Sequence, residues 1–304
     1  MTSITSDIPV DQVRVTRLEN DELIVDVSPD TGGRITRLWH KGLAREVLWR
    51  NPDVPLVPVA PGTPYDPHFA GGIDDILPCD LPEVIDGLSG PDHGEWWTQP
   101  LDSFVSDGAL ELTGQLPLWG LAIRKVVSLD ATAPCIHLDY TLVNVSGAPR
   151  TFLWKLHAAL VVDAGDEIVC PARIATVADP AWSRWGAREP FDWPGAADRR
   201  ADRVPVADGT TDFLFLSGLA EGRVGLHRPL AACAIRLTFD RAVFPYVCVF
   251  ASYGGFGGYE TVVLEPCTAM PLSVVEAARL GQCSRLAPGA RLTTRVSIAV
   301  EALS

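Results

Sequence analysis

Residues 135–142 read Cys-Ile-His-Leu-Asp-Tyr-Thr-Leu, and the fold turns on that spacing. Ile136, Leu138, Tyr140 and Leu142 alternate with His137, Asp139 and Thr141. A period of two places the first set on one face of an extended chain and the second on the other, which marks a half-buried strand. The pattern recurs in LAIRKVVSL at 121–129, where Leu121, Ile123, Val127 and Leu129 share a face and Lys125 is the exception. It recurs again in CAIRLTFD at 233–240 and RVSIAVE at 295–301, with ELIVDVS near 22 and DFLFLSG near 212 as further candidates.

Turn clusters separate these runs: SPDTGG at 28–33, APGTPYDP at 60–67, GLSGPDHG at 87–94 and ASYGGFGG at 251–258. Helical periodicity is rare, and PLSVVEAARL at 271–280 is the best short example. Many strands without a strand–helix rhythm predict an all-β protein, a large antiparallel sandwich or barrel. No composition shift marks a linker, so 1–304 reads as a single domain. The Trp- and Arg-rich stretch 179–205 reads as one long loop, a kind of segment that often carries function.

The whole-chain numbers narrow the partners. A formal net charge of −13 argues against nucleic acid or an anionic membrane face, because phosphate is gripped mainly by Lys and Arg. No apolar run is long enough to span a bilayer, and the N-terminus shows no signal-peptide pattern. Seven scattered Cys with no CxxC pair fit reduced thiols in a cytoplasmic protein. There is no GxSxG, phosphate-loop, HExxH or Cys/His zinc pattern, so neither a cofactor nor a metal is expected.

Three segments carry the chemistry: PDHGEWW at 91–97, WKLHAAL at 154–160 and VVLEPCTAMP at 262–271. Each sets one ionisable group, His93, His157 or Glu265, among apolar or aromatic neighbours. Burial and neighbouring charge can bring an imidazole and a carboxylate into the range needed for proton transfer, and an indole packs well on the C–H face of a pyranose. The plainer readings are a turn histidine, a core histidine satisfied by one hydrogen bond, and a Glu265 salt bridge to Arg34 or Arg124. Pro266 is expected to end regular pairing after Glu265.

In their order the segments resemble the galactose mutarotase-like superfamily, the aldose 1-epimerases and their relatives. The similar elements are GGRITRL at 32–38, GGIDDILPCDLP at 71–82, PDHGEWWTQPL at 91–101, NVSGAPRTFLWKLHAAL at 144–160 and the stretch 262–292. The resemblance implies a β-sandwich of the supersandwich type with a sugar site on its concave face. It implies Glu265 as base on the anomeric hydroxyl, His157 as acid toward the ring oxygen, and His93 as the assisting histidine. Trp97, Asp74, Asp75, Asp212 and Arg34 are the expected substrate contacts. The GRxxNR segment of the classical galactose mutarotases is absent, which places the chain among outlying members.

The reading is therefore a cofactor-independent isomerase acting at C1 of an aldose. The ligand is a small sugar, a free aldose rather than a sugar phosphate; a phosphate pocket would have to come from Arg184, Arg188 or Arg124. A non-catalytic carbohydrate-binding or regulatory protein on the same fold is the alternative, and a lyase or hydrolase acting on an oxidised sugar is a third.

Overall fold

The computed structural model describes residues 2–196 and 199–303, with Ala196 described by its backbone alone. Almost every regular element is a strand. The alternation at 135–142 holds along the whole Cys135–Asn144 strand, whose even-numbered residues are buried and whose odd-numbered ones are partly exposed. Two large antiparallel sheets result, and their facing sides bury one apolar core. This is the all-β sandwich expected from the sequence.

The eight-stranded sheet runs Glu167–Val169, Arg223–Arg228, Cys233–Phe239, Arg291–Ala302, Cys135–Asn144, Leu121–Leu129, Ala109–Leu116 and Asp102–Ser106 in spatial order. Its outer face is polar and carries pairs such as Arg295 with Asp139 and Arg124 with Glu111. In the twelve-stranded sheet the central order is Arg34–His40, Ile73–Ile76, Lys155–Leu160, Glu260–Cys267, Tyr246–Tyr253 and Thr210–Ser217. Its inner face joins the core, where Trp154 packs between Trp96 and Tyr140 at ring separations of 5.9 and 4.9 Å. Its other face, left free by the first sheet, carries the cleft described below.

Three local expectations need comment. The sequence at 271–280 does form the one α-helix among the described residues, Val274–Arg279, with Ser273 capping it by accepting from the Glu276 amide. Residues 179–205 are not one featureless loop. They include a 3-10 turn at Pro180–Trp182 and short strands at Phe191–Asp192, Gly195–Ala196 and Arg199–Arg200, while 197 and 198 lie outside the described residues. Pro266 does not end its strand: it still pairs with Val247 on one side. On the other side the ladder is interrupted, because Lys155 pairs with Cys267 and Ala158 with Leu264 but nothing is paired between them. A proline has no N–H to donate, and the gap falls where both strands carry candidate site residues.

Lys125, the exception in its strand, points into the core with no exposed surface and binds Asp75 of the other sheet at 2.9 Å. Among the described residues no helix is long and apolar enough to cross a membrane.

Candidate active site

A strand turns successive side chains to opposite faces, and that rule sorts the candidates. On the free face of the twelve-stranded sheet stand Lys155 and His157 from one strand, Glu265 from the next, and Phe250 and Phe213 from the two after that. The pairs flanking the ladder gap set His157 directly across from Glu265. Directly opposed residues in an antiparallel pair have Cβ atoms about 5 Å apart. Over this floor the loops bring Tyr65, Phe69, His93 and Trp182, closing a cleft of ≈ 760 Å³, its open mouth included.

His93 enters from the turn after Pro91. Its own φ is +53° and that of Gly94 is +70°. A Cβ at Gly94 would lie 2.1 Å from the Leu77 carbonyl oxygen, so only glycine fits there. The His93 ring stacks on Tyr65 at 4.1 Å. Its Nδ1 lies 2.8 Å from Asp92 and its Nε2 3.4 Å from Asp80. Burial pulls the imidazole down, but the Asp92 and Asp80 carboxylates outweigh it and hold His93 above its ordinary value. Glu95 of the same turn is structural, accepting from the Leu118 and Trp119 amides.

His157 is oriented from behind. Tyr65 donates its hydroxyl proton to Asp74 at 2.9 Å, leaving its oxygen to face His157 Nδ1 at 3.2 Å. Asp74 Oδ1 lies 3.2 Å from the same nitrogen. Both neighbours are acceptors there, which assigns the Nδ1 proton; Nε2 has no protein partner among the described residues. Asp74 is in turn held by Arg34 at 2.6 Å. Burial would raise this carboxyl, but Arg34 and His157 win and bring it down to about 2.

Glu265 is buried, and among the described residues it accepts no hydrogen bond. Its Oε2 lies 2.9 Å from Lys155 Nζ, an ion pair. The hydrogen bonds of that ammonium go instead to Asp80 at 2.6 Å and to the Cys248 sulfur at 3.6 Å. Burial opposes the charge on Lys155, yet Asp80 and its neighbours hold its pKa well above the ordinary lysine value. Asp80 is held below the usual carboxylate range, Lys155 and His93 overcoming its burial. Lys155, Asp80, Asp92 and Tyr65 were not among the residues expected from the sequence. Lys155 was within reach, since it lies two residues before His157 and must share its face. Tyr65 comes from a distant turn with no local signal.

The expected substrate contacts fare differently. Asp74 lies behind His157 and not against the cleft. Asp75, its neighbour in the strand, necessarily faces the opposite side; it is fully buried in the core, bound to Lys125 and to Trp154 Nε1 at 3.0 Å. Asp212 precedes Phe213, which lines the cleft, so Asp212 also faces away, paired with Arg184 at 2.9 Å and near Tyr253. Burial pushes Asp212 up to about 7 despite that arginine. Trp97 and Arg34 line a separate small crevice with His68, and Trp97 meets the cleft lining from behind by its edge contact to Tyr65 at 5.0 Å.

The arginines considered for a phosphate are used elsewhere. Arg184 holds Asp212, Arg188 lies over Trp185 and Phe191, and Arg124 is on the outer face of the other sheet. Among the described residues no group of three or more His, Cys, Asp or Glu is arranged to hold a metal ion.

The sequence matches no family model. Solved structures match over the whole chain. A galactose mutarotase-like protein from Clostridium acetobutylicum superposes with a TM-score of 0.74 at 12% identity, covering 99% of both chains. A candidate aldose 1-epimerase from Escherichia coli K12 gives 0.72 at 17% identity over 100% of both. A galactose mutarotase-like protein from Lactobacillus casei gives 0.68 at 17%, covering 94% of this chain and 100% of its own. The chain has the galactose mutarotase-like β-sandwich fold.

Proposed function

We propose that the cleft interconverts the anomers of an unphosphorylated aldose. The observation that carries this reading is Glu265 set across from His157 on the cleft floor, with the Nδ1 proton of His157 fixed by Asp74 and Tyr65. Ring opening needs a proton removed from the anomeric O1 and one delivered to the ring oxygen O5 as the C1–O5 bond breaks and C1=O forms. Glu265 takes the first and Nε2 of His157 gives the second. Rotation about C1–C2 presents the other face, and the same two groups act in reverse to close the ring. His93, stacked on Tyr65 and facing two carboxylates, is a cationic donor suited to a substrate hydroxyl.

Supporting a free sugar is the fact that among the described residues the cations lining the cleft already face carboxylates: Lys155 faces Asp80 and Glu265, and His93 faces Asp92 and Asp80. A phosphate would find none to spare. The seven cysteines are all free thiols, in keeping with a reducing, cytoplasmic setting. Nothing in the proposed chemistry asks for a cofactor.

The test is NMR exchange between anomers on a panel of free aldoses and hexose 6-phosphates. Acceleration of free aldoses is expected, with the effect abolished in Glu265→Gln and reduced ~10²–10⁴-fold in His157→Asn. Unchanged turnover in Glu265→Gln would remove Glu265 from the mechanism.

The Lys155 contact favours a second reading, because it occupies the Glu265 oxygen that would otherwise be open to the O1 proton. A protein that only binds sugar would show saturable binding with no acceleration across the same panel.

A further inference from the structure

The rim of the cleft is built differently from its floor. From Phe250 on the floor an aromatic wall runs outward through Phe256 to Trp182, each pair in edge contact, at 5.4 and 5.3 Å. Trp182 ends the 3-10 turn Pro180–Trp182 and is 42% exposed, whereas Glu265 and His157 are buried. A large aromatic left open at the lip of a cleft is either a liability or a contact surface.

Beside it stand two carboxylates, Asp179 and Asp66, both lining the cleft. Asp179 accepts the Ala181 amide with Oδ1; its Oδ2 and the Asp66 carboxylate make no hydrogen bond or ion pair among the described residues. Flat indole next to free acceptors suits a polyhydroxylated ring, whose C–H face is apolar and whose edge is a row of donors.

Resting on the anomer-interconverting reading of the floor, we infer that the substrate is a reducing disaccharide or longer neutral oligosaccharide. Its reducing ring lies between Glu265 and His157, and its second ring stacks on Trp182 with hydroxyls donating to Asp179 and Asp66. No covalent step is added: the second ring contributes binding alone.

The experiment compares kcat/KM for anomer exchange of maltose, cellobiose and lactose with that of glucose and galactose, in wild type and Trp182→Ala. At least one disaccharide is expected to exceed its parent monosaccharide by about tenfold, the size of one good ring-stacking contact. That ratio should collapse toward one in Trp182→Ala and be partly kept in Trp182→Phe. A wild-type ratio near one for all three disaccharides, or a preference that survives Trp182→Ala, would overturn the inference.

Methyl glycosides of the same sugars cannot mutarotate, and their binding by calorimetry separates the two readings. Should no sugar be turned over, Trp182-dependent preference for a methyl disaccharide would still support the second subsite. Equal binding of the methyl mono- and disaccharides, or binding of neither, would refute it.

Discussion

Replacing Lys155 by Met keeps most of the buried stem and removes only the charge, so it isolates what the ammonium does in the cleft floor. In the wild type Nζ lies 2.6 Å from Asp80 and 2.9 Å from Glu265, with all three side chains nearly inaccessible. At an effective dielectric near 20, attraction across such a distance is roughly 6 kcal/mol per pair. The several kcal/mol needed to strip water from the ammonium offset part of this, and breaking a buried pair from one side typically costs ~3–5 kcal/mol.

The pH dependence follows from the signs. Asp80 is depressed in the folded protein, so its contribution is present above its unfolded value and lost as pH falls through the folded one. Lys155 is raised, so its contribution is present below its unfolded value and lost only as pH rises through the folded one. Across neutral pH both are in force. In the Met variant Asp80 and Glu265 lose the ammonium between them, His93 at 3.4 Å from Asp80 offsets only part of the loss, and one of the two carboxylates takes a proton above the normal carboxylate range. Urea unfolding followed by the fluorescence of the nine tryptophans should therefore show Lys155→Met destabilised by ~3–5 kcal/mol at pH 7. The gap should narrow by ~1–2 kcal/mol at pH 5 as that proton binds. A gap below ~1 kcal/mol at pH 7, or one of equal size at both pH values, would refute the assignment of Lys155 as the charge that holds Asp80 and Glu265 together.

Two further outcomes are expected. Asp74→Asn should lower kcat for anomer exchange by roughly 10–100-fold, the scale seen when a carboxylate that orients a histidine is lost. It will also destabilise the fold by leaving Arg34 unpaired, so Arg34→Met in that background should restore urea stability without restoring rate. Asp92→Asn should move the His93 midpoint downward in histidine NMR. Because His93 is raised in the fold, its stabilisation is present below its unfolded value and fades as pH rises through the folded one; the variant should show a flatter stability profile on that limb.

Much of this molecule was legible in its sequence, because the signal that builds the sheets is local. Alternation along Cys135–Asn144 and its neighbours announced the sandwich, and the segments carrying His93, His157 and Glu265 do meet in one cleft. The same alternation also governs adjacent residues. Asp74 and Asp75 cannot face one ligand from adjacent positions in a strand, and Asp212 cannot share the face of Phe213. Lys155 interrupts an apolar run, and its spacing of two from His157 puts both on one side of the strand. What no local pattern shows is the long-range part: Tyr65 reaches Asp74, His93 and His157 from a turn whose residues signal only a turn.

The buried knot around Asp75 has a consequence for the cleft it never touches. Lys125 of the rear sheet donates to Asp75 and to the Gly33 carbonyl at 3.0 Å, while Trp154 and Tyr140 donate to the two Asp75 oxygens. Oily faces tolerate sliding past one another, since their attraction has no direction. A saturated polar cluster does not, because each donor has one place to be. The rear sheet thus acts as the datum from which the front is measured. Asp74 is the next residue along the same strand, so the tilt of the His157 ring is indexed, through a single peptide link, to a lysine on the far side of the protein.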